Sequence, residues 1–357
     1  MKIFCLIAEF NPFTFGHKYI IDKVKSEHTN AKIVAIMSGD YTLRGEVAIF
    51  DKWKRAKSAV KNGVDLVLEL PAIFVLNGAD VFAKNSIEIL KSTGIFENLF
   101  FGVEHEDVNY IKTAASFLKS SKLFSEKFDS NLSFNEFARQ KIKTVTGIYP
   151  ESNDMLGILY TGFLPESTNI FPIKRIVSDY NSANNSGYAA SPIRQEIISK
   201  NIEVHNKNEN YYTVVKLKLL SENSNIKLSE ANISRIKKAA FIADSYDEFI
   251  ELAYHKRLTK SKIKRETLKL AIDMNENWQY FYKTTFIRPL AASEDGRQII
   301  KQIAKTNDLI LNYKNLNKLS KKSRELFYYN EKFTELYHAF YDKIPHTDRT
   351  KNVFNNK

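Results

Sequence analysis

The segment Asn11-Pro12-Phe13-Thr14-Phe15-Gly16-His17 holds the residues best suited to chemistry. It lies between an apolar run, Ile3–Ala8, and a stretch at 17–28 in which Tyr19, Ile20 and Val24 share one helical face. A loop passing from a strand into a helix N-terminus gathers free backbone N–H groups and can cradle phosphate. Gly16 permits close backbone approach. The Thr14 hydroxyl can donate to a phosphate oxygen, and His17 can donate to an α-phosphate as charge builds in a transition state. The plainer reading is a strand-to-helix turn with a capping Thr and an exposed His. Alone, the loop supports adenylyl transfer from ATP to a small carboxylate or phosphate.

Such a loop needs a sheet to hold it, and the flanking sequence supplies one. Ala31–Met37, Val64–Leu70 and Asn98–Val103 are further apolar runs. Between them, Lys52–Asn62 and Ala79–Thr93 have helical spacing and are closed by Gly63 and Gly94. This alternation predicts an α/β, Rossmann-like domain with a parallel sheet over residues 1–200. Ligands of such sheets bind beyond the carboxyl ends of the strands, where Asn11–His17, Ser38-Gly39 and Gly102 fall. Residues 105–150 read as a polar helical insertion, and Ile170–Val177 as a further strand. Tyr180–Gly187 reads as a polar loop. Ser191-Pro192-Ile193-Arg194 then opens a helix, with Pro192 at a favoured early position. Beyond residue 200 the strand pattern fades, predicting a mostly helical second domain over 201–357.

At 357 residues with 43% hydrophobic content, the chain can bury a full core without covalent staples. Cys5 is the only cysteine, which excludes an intrachain disulfide and a four-cysteine zinc site. The histidines show no metal-ligand spacing, so no protein-bound metal is expected. No apolar stretch reaches the roughly 20 residues needed to cross a bilayer. A cytoplasmic protein without an obligate protein partner fits these features.

Charge is unevenly spread. Lys and Arg number 24 against 22 acidic residues in 1–200, but 29 against 19 in 201–357. A basic half attached to a near-neutral one suggests a polyanionic partner, and nucleic acid is the obvious class. Lys256, Arg257, Lys260, Lys262, Lys264 and Arg265 form its densest basic run, with no acidic residue among them. They read either as a phosphate-binding stripe or as a solvated helix face. Aromatic clusters at 278–282 and 327–329 suit core packing better than base stacking.

Thr14-Phe15-Gly16-His17 resembles the [Thr/His]-x-Gly-His signature of the nucleotidyltransferase superfamily. Ser191-Pro192-Ile193-Arg194 resembles its second signature, which holds the β- and γ-phosphates. The match narrows further. Asn11-Pro12-Phe13, Met37-Ser38-Gly39, Arg44-Gly45-Glu46, Lys52-Trp53, Gly63–Pro71, Ala79-Asp80, Phe101-Gly102, Asn153, Leu156-Gly157, Lys174-Arg175-Ile176 and Ile193-Arg194 follow in order. Together they are similar to the bacterial tRNA(Met) cytidine acetate ligase family, densely over residues 1–200 and more loosely beyond.

The resemblance implies that acetate is activated as acetyl-adenylate with release of pyrophosphate, and then passed to N4 of the wobble cytidine of elongator tRNA(Met). It implies an ATP site lined by Ile7-Ala8-Glu9-Phe10-Asn11-Pro12-Phe13-Thr14-Phe15-Gly16-His17-Lys18-Tyr19-Ile20, Gly102, Asn153, Arg175, Ile176, Ser191 and Arg194. His17 and Thr14 would be the catalytic pair. Mg²⁺ on the phosphates follows by superfamily analogy. Many members carry His where this chain has Thr14. Two other readings stay open on the residues: a small-molecule cofactor adenylyltransferase, and a non-catalytic RNA-binding protein on the same fold.

Overall fold

A computed structural model describes residues 1–121, 134–176, 190–200, 208–221, 228–274, 278–304 and 308–339. The apolar runs become β1 (Lys2–Ala8), β2 (Ala31–Ser38), β3 (Leu66–Leu70) and β4 (Asn98–Val103), followed by β5 (Asn169–Lys174) and β6 (Pro289–Ala292). In space the order is β5-β4-β1-β2-β3-β6. Five strands are parallel, and β6 runs antiparallel beside β3.

Helices α1 (Phe15–Glu27), α2 (Lys52–Lys61), α3 (Ala72–Val75) and α4 (Ala79–Ser92) alternate with the first four strands. Then come α5 (Val108–Ser120), α6 (Phe134–Thr146), α7 (Ser152–Phe163) and α8 (Ala190–Ser199). The second half adds α9 (Asn208–Leu220), α10 (Glu230–Ile242), α11 (Tyr246–Ala253), α12 (Lys260–Ala271), α13 (Glu294–Ile303) and α14 (Lys321–Ala339). Strand alternation divides the core. Phe4, Leu6, Ile33, Ala35 and Phe100 pack under α1 and α2. Ile3, Cys5, Ile7, Val34, Ile36, Leu99 and Phe101 pack on the other face, towards α4, α5 and α7.

Three expectations change in detail. The sheet is not confined to residues 1–200, because Pro289–Ala292 supplies its sixth strand. Four residues opening with proline carry almost no strand signal, and only the free edge of β3 makes them a strand. Gly296 allows the attachment: a Cβ there would lie 1.9 Å from the Asp65 carbonyl oxygen. Second, α5 is not polar throughout, since Tyr110, Ile111, Ala114, Ala115 and Leu118 are buried. Third, the fifth strand ends at Lys174. Val177 and the Tyr180–Gly187 loop lie outside the described residues.

Behind the carboxyl ends of β2 and β3 sits a buried ionic hub. Lys52 Nζ lies 2.7 Å from Glu69 Oε1, 3.7 Å from Asp40 Oδ2 and 3.1 Å from Thr334 Oγ1. Thr334 donates to Asp40 and Asn330 donates to Glu69, both from α14. Arg288 stands 3.6 Å from Glu69 Oε2 and lies over the Trp53 ring. Charges removed from water this completely persist only when paired and hydrogen-bonded. The hub therefore fixes α14 and the residue preceding β6, Arg288, to the ends of β2 and β3, and holds the backbone at Ser38–Asp40 in one place.

Candidate active site

The loop after β1 is held by a chain of hydrogen bonds. Phe10 has φ of +44°, a region costly for a bulky residue unless its surroundings impose it. The Asn11–Pro12 peptide bond is cis. Asn11 Oδ1 accepts from Ile49 N–H at 2.8 Å, and Glu9 Oε1 accepts from Leu43 N–H at 2.6 Å. Arg55, almost fully buried on α2, donates to the carbonyls of Glu9 and Ser38, at 2.5 and 3.2 Å, and to that of Gly39. Sequence reasoning missed Arg55. It looks like an ordinary helix arginine, and its target carbonyls become neighbours only in the folded sheet. Burial raises the Glu9 carboxyl above its usual range.

Thr14 caps α1. Its Oγ1 accepts from His17 N–H at 3.3 Å, while Thr14 N–H donates to His17 Nδ1 at 3.0 Å. A backbone N–H can only donate, so Nδ1 is the acceptor and the ring proton of neutral His17 sits on Nε2. The Phe10 and Phe13 rings flank it, with centroids 5.0 and 5.5 Å away. Burial, and then the nearby Arg175 charge, lower its pKa from 6.5 to about 4. At neutral pH His17 is an uncharged Nε2–H donor at a helix N-terminus. The Thr14 hydroxyl, expected to face phosphate, is turned back towards Nδ1 at 2.9 Å.

The second motif closes on the first. Arg194 Nη1 donates to the Asn11 carbonyl at 2.7 Å, and Nη2 donates to Ser191 Oγ at 3.0 Å. Two segments about 180 residues apart thus meet at the same loop. At the end of β4, the Arg175 side chain lies across Gly102, where a Cβ would come within 3.1 Å of its Cγ. Asn153 opens α7 and donates to Glu104 Oε1 at 2.5 Å. Gly102, Arg175 and Asn153 therefore border one strand end. Ile176 is exposed beside them, whereas Ile7 and Ile20 are buried behind the loop as core. Lys18 pairs with Asp22 on the outer face of α1.

A nucleotidyltransferase reading rests on these joined motifs, and comparison with known proteins agrees. Residues 1–352 match the family model described as HIGH Nucleotidyl Transferase. The tRNA(Met) cytidine acetate ligase of Ligilactobacillus salivarius is 31% identical, over 92% of this chain and 93% of the relative. That of Clostridium kluyveri is 32% identical, over 87% and 88%. The chain belongs to the tRNA(Met) cytidine acetate ligase family.

The crystal structure of Thermotoga maritima TmcAL bound with alpha-thio ATP has the same fold, with a TM-score of 0.82 and 24% identity over 96% of each chain. The apo form of that protein aligns at a TM-score of 0.84 over 100% of this chain and 98% of its own. The family's ligase fold is thus this chain's fold.

In this acetate-ligase family member the basic run at 256–265 divides. Lys256, Arg257 and Lys262 are exposed. Lys260 pairs with Glu251. Lys264 and Arg265 turn inward: Lys264 pairs with Glu46 at 3.1 Å, and Arg265 donates to the Leu43 carbonyl at 2.9 Å. Helical periodicity sends those two towards the Thr42–Glu46 turn, which Glu9 also holds. Arg235 of α10, not singled out from sequence, donates to the Leu252 carbonyl at 3.4 Å. His255 lies near both Arg235 and Arg257; burial and then these two charges lower its pKa. Among the described residues no helix is long and apolar enough to cross a membrane.

Proposed function

We propose that this protein joins acetate to a tRNA cytidine in two steps that consume one ATP. In the first, an acetate oxygen attacks the α-phosphorus of ATP in line, and the bond to pyrophosphate breaks. The enzyme's task is to place the reactants and to stabilise charge spreading over the α-phosphate. His17 Nε2–H is the fixed donor for that charge, and Thr14 maintains its tautomer. Arg194 sits beside the same loop, as a binder of the departing phosphates requires. Mg²⁺ carried on the ATP phosphates would share the charge.

In the second step the cytidine N4 amine attacks the acetyl carbon. A C–N bond forms, the anhydride C–O bond breaks, AMP leaves and the amine loses a proton. Exposed Lys256, Arg257 and Lys262, with Arg235 beside them, offer a surface for the tRNA backbone. Their phosphate contacts would position the tRNA without reading its sequence. Lys264 and Arg265 support the loop instead.

One observation carries the reading: the Arg194–Asn11 hydrogen bond, which joins the two phosphate motifs around a histidine held as a neutral donor. The names of the relatives, and the alpha-thio ATP bound by the structural neighbour, supply the acid, the acceptor and the nucleotide. The test is incubation of purified protein with ATP, acetate and total tRNA, followed by nucleoside mass spectrometry. N4-acetylcytidine in one tRNA is the expected product. Pyrophosphate release with a phosphopantetheine- or nicotinamide-type substrate, and no tRNA product, would replace this reading with a cofactor adenylyltransferase.

A further inference from the structure

A second histidine borders the site, and its hydrogen bonds hold it in the tautomer opposite to that of His17. His105 lies three residues beyond Gly102 on the chain leaving β4. Its Nδ1 is 2.7 Å from Asp154 Oδ2. Asp154 is fully buried at the start of α7, and its carboxylate already accepts three backbone N–H groups. Oδ1 takes those of Glu104 and His105 at 2.9 and 3.0 Å, and Oδ2 takes that of Glu151 at 2.9 Å. A carboxylate only accepts, so the proton of the neutral His105 ring lies on Nδ1 and faces it. Nε2 is left bare. The edge of Tyr110 meets the ring at 6.0 Å, and 43% of the side chain is exposed.

The surroundings tie this ring to Asn153 and the end of β4. Glu104, its chain neighbour, holds the Asn153 side chain, and its Oε2 accepts from the N–H groups of Asn153 and Asp154, each at 3.2 Å. Asp154 in turn holds the N–H groups of Glu104 and His105. This reciprocal clamp fixes His105, Asn153 and the end of β4 as one unit. Arg175 connects that unit to the phosphate end, since its side chain rests on Gly102 and its charge acts on His17. The neutral His17 ring thus presents an N–H at the loop after β1, while the neutral His105 ring presents a lone pair beyond the end of β4.

We propose that His105 Nε2 is the acceptor that reads a hydrogen-bond donor on the nucleoside half of ATP, either a ribose hydroxyl or the adenine amine. This rests on the reading of Gly102, Asn153 and Arg175 as the nucleotide site. Asp154 acts through His105 as a positioning residue. Its role is to place the proton of the neutral ring on Nδ1 and to aim Nε2, as an orienting carboxylate does for other histidines.

The test is acetate-dependent pyrophosphate exchange, which needs no tRNA. The parent, His105→Ala and Asp154→Asn are each assayed with ATP, 2′-deoxy-ATP, 3′-deoxy-ATP and purine riboside triphosphate, which lacks the amine. His105→Ala is expected to raise the KM for ATP about 3- to 10-fold, the worth of one hydrogen bond, with kcat little changed. For the analogue lacking the donor that is read, the parent's KM is already raised and His105→Ala adds nothing. Asp154→Asn replaces an acceptor with a group that can also donate, which favours the other tautomer; a folded variant should repeat the His105→Ala pattern. An unchanged KM for ATP in His105→Ala, or the same rise with all four nucleotides, would overturn the proposal. Absence of exchange in the parent with acetate or any other acid would instead overturn the nucleotide-site reading, and this proposal with it.

Discussion

At the amino-terminal loop the proposed anion-binding groups are neutral or tied donors, held by partly buried hydrogen bonds. On the surface formed by α10, α12 and the turn between α11 and α12, they are charged side chains standing in water. His17 is fixed by Thr14 and enclosed by Phe10 and Phe13, whereas Lys256 and Lys262 are exposed. The difference separates two tasks. Donors preorganised away from water need no rearrangement when charge develops, and bulk salt hardly screens them. Exposed cations attract any polyanion, weakly at each contact and strongly in sum, and salt weakens them. The first design suits a chemical step and the second suits capture of a large substrate.

The comparison is broken most directly at His17. His17→Ala should lower acetate-dependent pyrophosphate exchange by about 10²–10³-fold, the usual cost of one fixed transition-state donor. A variant keeping most of its exchange activity would remove the loop side of the contrast. Next comes the support behind the loop. Lys52→Met leaves Glu69 and Asp40 buried without their cation and should cost about 3–5 kcal/mol in denaturant unfolding.

Arg194→Ala removes a charged donor worth about 1.5–3 kcal/mol, which predicts a roughly 10- to 100-fold fall in kcat/KM for ATP. Arg194→Lys should not restore it, because one ammonium lacks the fork that spans Asn11 and Ser191. On the basic surface, Lys256→Ala and Lys262→Ala should each raise the KM for tRNA only a few-fold. Each should also reduce the salt dependence of tRNA binding by about one counterion. Equal salt dependence in parent and double variant would show that tRNA binds elsewhere.

On the rate, the smallest effect is expected from pH. With the His17 pKa near 4, the rate should show no acid limb from this group between pH 8 and 6. The stability sign follows from linkage. As pH falls, the unfolded chain takes up this proton near 6.5 and the folded one only near 4. Folded stability is therefore unaffected above 6.5 and is lost as pH drops through that interval. Melting temperatures between pH 7 and 4, compared with those of His17→Gln, measure it.

Much of this was legible in the residues, for reasons particular to each part. The strands at Lys2–Ala8, Ala31–Ser38, Leu66–Leu70 and Asn98–Val103 are runs apolar on both faces, which only a covered parallel sheet accommodates. Gly63, with φ of +106°, and Gly94, with φ of +70°, close helices where expected. The loop Asn11–His17 was legible because its function depends on a local backbone turn. The basic run was legible as charge but not as surface. Whether Lys264 points to solvent or to Glu46 depends on what α12 packs against. His105 carried no signal, since its partner is 49 residues away.

By itself the sequence determined the family, the alternation of strand and helix, and the chemistry available at the first loop. Each of these depends on residue types within a few positions of one another, where backbone geometry leaves few choices. The tertiary structure alone decided that Arg194 meets Asn11, that Arg55 holds Glu9 and Gly39, and that Pro289–Ala292 completes the sheet. It also decided which histidine nitrogen carries a proton, because a tautomer is set by whichever donor or acceptor the fold brings to the ring.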